Sequence, residues 1–206
     1  ERLRGVGVAA GHSISKRLVA ALEDAGLNGR LFPNPADMKW SKMLTNLIAN
    51  ATSAILDMSP AEIFAHPGLY RLEIAQLRET LAVMNAQGIT AVDLPRTPVR
   101  LLALSVHGLP TSLSRPLIAR AVGGGRGGKM PSFHIDLHSG RGKSEVDFLN
   151  GAVVRFGAKS KVPTPVNQVL NETLMGLTNG EIPMDTYRHQ PLALLSRYEV
   201  FKKQVG

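Results

Sequence analysis

The stretch from Asp37 to Ile55 constrains the fold more than any other part of the chain. It holds no Gly or Pro, and Trp40, Leu44, Leu47, Ala51 and Ile55 recur along it at the spacing of a buried helical stripe. With Asp37 as N-cap, the spacing predicts one core helix of about four to five turns. On a helix advancing about 100° per residue, Lys42, Asn46 and Asn50 fall at i, i+4 and i+8 and form a polar column. Asparagine competes with the helix backbone for hydrogen bonds, so two of them in line with a lysine are an unusual choice for a surface. The column reads either as a solvated face or as a candidate site.

The rest of the chain bounds what such a site can serve. Of 206 residues, 44% are hydrophobic and 19% charged, enough for a packed core of one domain or somewhat more. The net charge of +8 points to nucleic acid, an acidic membrane surface or anionic small molecules. Aromatics make up only 5%, no basic run is interleaved with them and no known nucleic-acid signature occurs, which argues against nucleic acid. The absence of cysteine removes disulfides, thiolate catalysis and cysteine-ligated zinc. No apolar run approaches about 18 residues and no signal peptide is evident, so the expectation is a cytoplasmic protein without a membrane partner.

Before Asp37 the pattern differs. Arg4 to Gly11 reads as a strand entering a loop, Ser13 caps a helix with Ile14, Leu18, Ala21 and Leu22 as its apolar positions, and Leu31-Phe32 suggests a second strand. This is a βαβ-like scrap, too short for a core of its own. Gly5, Gly7 and Gly11 have the wrong spacing for a dinucleotide fingerprint. After it the periods are helical. Ser59-Pro60-Ala61-Glu62 matches a capping box, Tyr70 to Gln87 is a long amphipathic helix stopped by Gly88, and shorter helices are expected around Leu101–Leu104, Leu113–Val122 and Ser132–Leu137. Ser144 to Lys159 and Thr164 to Gly176 follow, then a weaker helix in Met184 to Gly206. The fold class is mainly α, with residues 1–36 as a short α/β unit and 37–206 as the helical domain.

Several chemistries fail on spacing. Gly123 to Lys129 lacks the hydroxyl residue of a phosphate-binding loop, since Met130 stands there, although Arg126 and Lys129 suit a basic loop closing over an anion. His134 and His138 would align on a helix, but with no third ligand at recognisable spacing they read as ordinary histidines, and no metal is assigned. Glu145 falls in a first turn capped by Ser144, where the helix dipole favours its ionised form.

Four patterns then occur in order: Trp40-x-Lys42-x-x-x-Asn46-x-x-x-Asn50, Gly127-Gly-Lys-Met-Pro-Ser132, Ser144-Glu145-Val-Asp147-x-x-Asn150-Gly151, and Val162-Pro163-x-Pro165-x-Asn167. Together they resemble the C-terminal domain of ketopantoate reductases (2-dehydropantoate 2-reductases) over about residues 37–180, with residues 1–36 resembling the tail of that family's Rossmann domain. The resemblance implies NADPH-dependent reduction of 2-dehydropantoate to pantoate, on the route to pantothenate and coenzyme A. It implies Lys42 as proton donor to the ketone oxygen, Asn46, Asn50 and Ser132 as substrate-binding residues, and Glu145 on the cofactor side. The chemistry agrees: hydride addition builds negative charge on oxygen that an ammonium can stabilise and protonate, while asparagines donate and accept without adding charge. The expected partners are a small anionic 2-keto acid and a second copy of the chain, although residues 1–206 alone are expected to be inactive. The alternatives are a reductase of another 2-keto acid, or a non-catalytic binding or assembly module on a reductase scaffold.

Overall fold

Proline starts about half of the described helices. At the first helical position its missing N–H costs nothing and its fixed φ suits the turn. Pro35, Pro60, Pro67 and Pro165 each occupy that place. The structure, a computed structural model, describes residues 5–108, 130–140 and 142–205. The helix expected over Leu113–Val122 and the basic loop Gly123–Lys129, with Arg126, lie outside the described residues.

The front is the βαβ unit expected. Strand β1 (Val6–Ala9) pairs in parallel with β2 (Gly29–Phe32), Val6 opposite Gly29 and Ala9 opposite Phe32, and α1 (Ser15–Asp24) connects them. Ser13 does not cap α1: Ile14 holds the cap position without a side-chain bond, and Ser15 Oγ donates to the Ala9 carbonyl at 2.8 Å. Gly7 has a packing reason, because a Cβ there would lie 2.8 Å from Met38 Sδ and 3.1 Å from the Phe32 ring. Ile14 and Leu18, expected as the apolar face of α1, are 52% and 46% exposed, and Val6 on β1 is 42% exposed.

Behind this unit the body is helical: α2 (Pro35–Leu47), α3 (Asn50–Leu56), α4 (Pro60–Ala65), α5 (Pro67–Ala86), α6 (Val99–Gly108), α7 (Ser132–His138), α8 (Val146–Ser160), α9 (Pro165–Thr178) and α10 (Pro191–Val205), with a 3-10 turn at Met184–Thr186. The predicted core helix over 37–55 is two helices, α2 and α3, interrupted at Ile48 and Ala49. Its N-cap is Asn34, which accepts from Ala36 N at 3.0 Å, and Asp37 in the first turn accepts from Thr90 N at 2.9 Å. The stripe itself is as expected, with Trp40, Leu44, Leu47, Ala51 and Ile55 all buried. The capping box at Ser59 and Glu62 forms in both directions.

Helix α5 is the hub. It buries Leu69, Leu72, Leu77, Leu81 and Met84 and packs against α2, α4, α6, α8, α9 and α10. Gly88, at φ +66°, takes the left-handed conformation that stops it, with the Ile89 N–H turned back to the Met84 carbonyl. Helix α10 docks on α5 and α9 with Leu194 buried, while Leu192 is 71% exposed. Among the described residues no helix is long and apolar enough to cross a membrane.

Candidate active site

The break between α2 and α3 is the structural origin of the site. Ile48 leaves the helix with ψ 114° and Ala49 takes φ +51°, in the left-handed region. Such a break frees backbone groups that helix bonds would have used, and buried they would cost about 1–3 kcal/mol each. Two buried side chains of α5 take them up. The Glu73 carboxylate accepts from Ala49 N at 2.8 Å and from Thr52 Oγ1 at 2.7 Å, and Gln76 Nε2 donates to the Leu47 carbonyl at 3.1 Å.

On the other side of the break, Asn50 is 4% exposed and spends its amide inside the protein. Its Nδ2 donates to the Asn46 carbonyl at 3.0 Å and to Ser132 Oγ at 3.3 Å, and its Oδ1 accepts from Phe133 N at 3.0 Å. Two residues singled out in the sequence, Asn50 and Ser132, are thus in contact across 82 residues of chain. Asn46 is half-buried and Lys42 exposed, one turn apart on α2. The ammonium, the two amides and the serine hydroxyl therefore run along α2, across the break and onto the first residue of α7.

Glu145 is placed elsewhere. It is exposed and occupies the N-cap position of α8, one residue before the helix start, so it is not in the first turn as the sequence suggested. Ser144 Oγ still accepts from Val146 N, at 3.2 Å. Glu145 lines a groove of about 480 Å³ with Asp136, Lys143, Phe148, Thr178 and Asn179, whose described lining contains none of Lys42, Asn46, Asn50 or Ser132.

The motif asparagines given no role by the sequence reading turn out to be buried connectors. Asn150 Nδ2 donates to Gln76 Oε1 at 2.8 Å and to Asn167 Oδ1 at 3.1 Å, and Asn167 Nδ2 donates to Glu79 Oε2 at 2.7 Å. The Glu79 carboxylate also accepts from Val166 N at 2.8 Å and Asn167 N at 3.0 Å, capping α9 from another helix. Burial pushes the Glu79 carboxyl up to about 7, against the pull of those N–H donors. The network Glu73–Gln76–Asn150–Asn167–Glu79 thereby ties the break to α8 and α9. Sequence reasoning missed Glu73, Gln76 and Glu79. The available signal was Glu73, Gln76 and Thr80 at i, i+3 and i+7, a polar row set among the apolar Leu69, Leu72, Leu77 and Leu81 rather than on the Arg71–Arg78 side.

Comparisons with known proteins agree with this architecture. The family described as "Ketopantoate reductase PanE/ApbA C terminal" matches residues 34–178. A 2-dehydropantoate 2-reductase of Pyrobaculum aerophilum is 31% identical over 172 residues, covering 82% of this chain and 53% of that protein. One from Streptococcus pyogenes serotype M3 is 26% identical, over 79% of this chain and 46% of its own length. Among solved structures, a PanE/ApbA family ketopantoate reductase from Ralstonia eutropha superposes with a TM-score of 0.65 at 24% identity, covering 85% of this chain and 51% of that one. D-mandelate dehydrogenase in complex with NADH gives 0.65 at 22% identity, over 85% and 55%. The chain spans about half the length of the curated relatives it matches.

Proposed function

The chain belongs to the ketopantoate reductase family, whose helical C-terminal domain it carries, and from that premise we propose that it forms the substrate side of a cytoplasmic NADPH-dependent 2-dehydropantoate 2-reductase. Residues 37–206 are the substrate domain in this reading, and residues 1–36 belong to the nucleotide-binding side. The observation that carries it is the polar line on α2 and α7: an exposed Lys42 followed by Asn46 and the hydrogen-bonded pair Asn50–Ser132.

A reduced nicotinamide, when bound, supplies hydride to the ketone carbon. The carbonyl electron pair then moves onto oxygen, and the Lys42 ammonium stabilises that charge and hands it a proton, giving the alcohol. Because Lys42 is exposed, water can reprotonate it between turnovers. Asn46 and the Ser132 hydroxyl hold the substrate's polar groups. Asn50, buried and fully engaged, acts by positioning Ser132 and the start of α7. Glu145 fits the cofactor side, since its carboxylate in an open groove can accept from ribose-type hydroxyls, with Lys143 also lining it as a cation. The excess of positive charge favours an anionic 2-keto acid. Self-association of the protein is part of the same proposal, and a sedimentation series over concentration tests it.

The test of the chemistry is steady-state kinetics with NADPH and 2-dehydropantoate in the protein carrying this chain, beside thermal melts. Lys42→Ala is expected to lower turnover about 10²–10⁴-fold, the usual loss when an acid catalyst is removed. Its stability should change by no more than about 0.5 kcal/mol, because the side chain is exposed. Near-normal turnover in the folded variant would remove Lys42 as proton donor.

A further inference from the structure

Helix α7 carries a second constellation, unrelated to the polar line. His134 and His138 lie at i and i+4 on one face, with ring centroids 4.2 Å apart. The sequence offered them no third partner. The fold supplies Asp57, which ends α3 with φ +51° in a left-handed conformation that aspartate tolerates better than most residues. Asp57 Oδ1 lies 2.7 Å from His134 Nε2 and 3.9 Å from His138 Nε2. The three potential ligand atoms all fall within 4.8 Å of one another. We propose that Asp57, His134 and His138 form a binding site for one divalent first-row transition-metal ion of the zinc class.

Two imidazoles and one carboxylate are a recurrent donor set for such ions. Ligand distances of about 2.0–2.2 Å place neighbouring donors of a tetrahedral ion about 3.3 Å apart. The observed 2.7 and 3.9 Å straddle that spacing, so small side-chain rotations complete the site. The carboxylate is also divided in the way a ligating one is. Oδ1 faces the two histidines, while Oδ2 is held by Arg188 Nε at 3.0 Å, the outer hydrogen bond that orients a ligating carboxylate. His189 Nε2 lies 3.9 Å from Oδ2 on the same side as Arg188. All three primary side chains are partly sheltered, at 15%, 30% and 21% exposure for His134, His138 and Asp57, which leaves a path for an ion. Binding replaces the direct His134–Asp57 contact with bonds to the ion. The ion would clamp α7 to the end of α3, on the helix whose first residue meets Asn50.

The test is titration of the EDTA-stripped chain with Zn²⁺ by calorimetry, and with Co²⁺ followed by its visible absorption. One equivalent should bind, with Co²⁺ bands typical of nitrogen and oxygen ligands, and Zn²⁺ should raise the melting temperature. His138→Ala, whose site is partly exposed, should keep the metal-free circular dichroism spectrum and weaken affinity at least about tenfold. Asp57→Asn should weaken it likewise, and His12→Ala, at an exposed histidine near α1, should leave it unchanged. The proposal is overturned if no saturable one-equivalent binding occurs, or if folded His138→Ala binds Zn²⁺ as tightly as the parent chain. None of these readouts depends on reductase activity.

Discussion

Both regions expose some large apolar side chains, but residues 5–32 bury a single polar one, Ser15, whereas the helical body encloses a connected set of them. In the α/β unit Val6, Ile14 and Leu18 are between 42% and 52% exposed. In the body Glu73, Gln76, Asn150 and Asn167 are fully buried. The contrast shows where each region's conformation is decided. Two paired strands and one helix offer too little surface to cover the unit's own apolar residues. The body has apolar contacts to spare and uses buried amides and carboxylates to fix one arrangement among several that simple packing would permit. Their cost is met because almost every donor and acceptor is matched, with Asn150 Oδ1 the one atom of the network left without a partner.

The comparison can be broken most directly at Gln76. Gln76→Ala leaves the Leu47 carbonyl without its side-chain partner and removes one of the two acceptors of Asn150 Nδ2, and at about 1–3 kcal/mol for each lost buried pairing the expected loss is about 2–6 kcal/mol. Urea denaturation measures it, and a loss below about 1 kcal/mol would mean that packing alone holds the α2–α3 break. A smaller effect, of about 1–3 kcal/mol, is expected at Glu79 and depends on pH. The unfolded carboxyl titrates at its ordinary 4.5 and the folded one at about 7. Between those values the unfolded chain has released a proton that the folded chain keeps. Glu79's contribution is therefore complete below 4.5 and is lost as pH rises to about 7. Glu79→Gln should flatten that slope in denaturation curves taken from pH 5 to 7.5, whatever it does to stability overall. The smallest effect belongs to the front. Ile14→Ser with Leu18→Ser should change stability by no more than about 0.5 kcal/mol and shift sedimentation toward monomer. A loss of several kcal/mol would show that these side chains are buried in solution, and the contrast between the regions would fail.

The residues of the candidate site were singled out in the sequence one at a time, and little of their geometry was legible there. Lys42, Asn46 and Asn50 were singled out from helical spacing, Glu145 from a capped helix start and Ser132 from the family resemblance, but the spacing assumed one straight helix. Nothing in residues 37–55 announces the break, since Ile48 and Ala49 are acceptable helix residues. Asn50, expected to bind substrate, has an amide that hydrogen-bonds Asn46, Ser132 and Phe133, contacts that helical spacing could not show.

What the sequence determined by itself is what neighbours within a turn or two decide: helix starts at Pro60 and Pro165, the Ser59–Glu62 box, the stop at Gly88, and the buried stripe from Trp40 to Ile55. The tertiary structure decided everything that rests on partners far along the chain. The break at Ala49 exists because Glu73, 24 residues on, takes up its N–H. Asp57 meets His134 across 77 residues, and Asn167 meets Glu79 across 88. A local pattern encodes which backbone conformation is cheapest for a segment, but a buried polar group is tolerated only once a partner is in place, and only the folded chain supplies that partner.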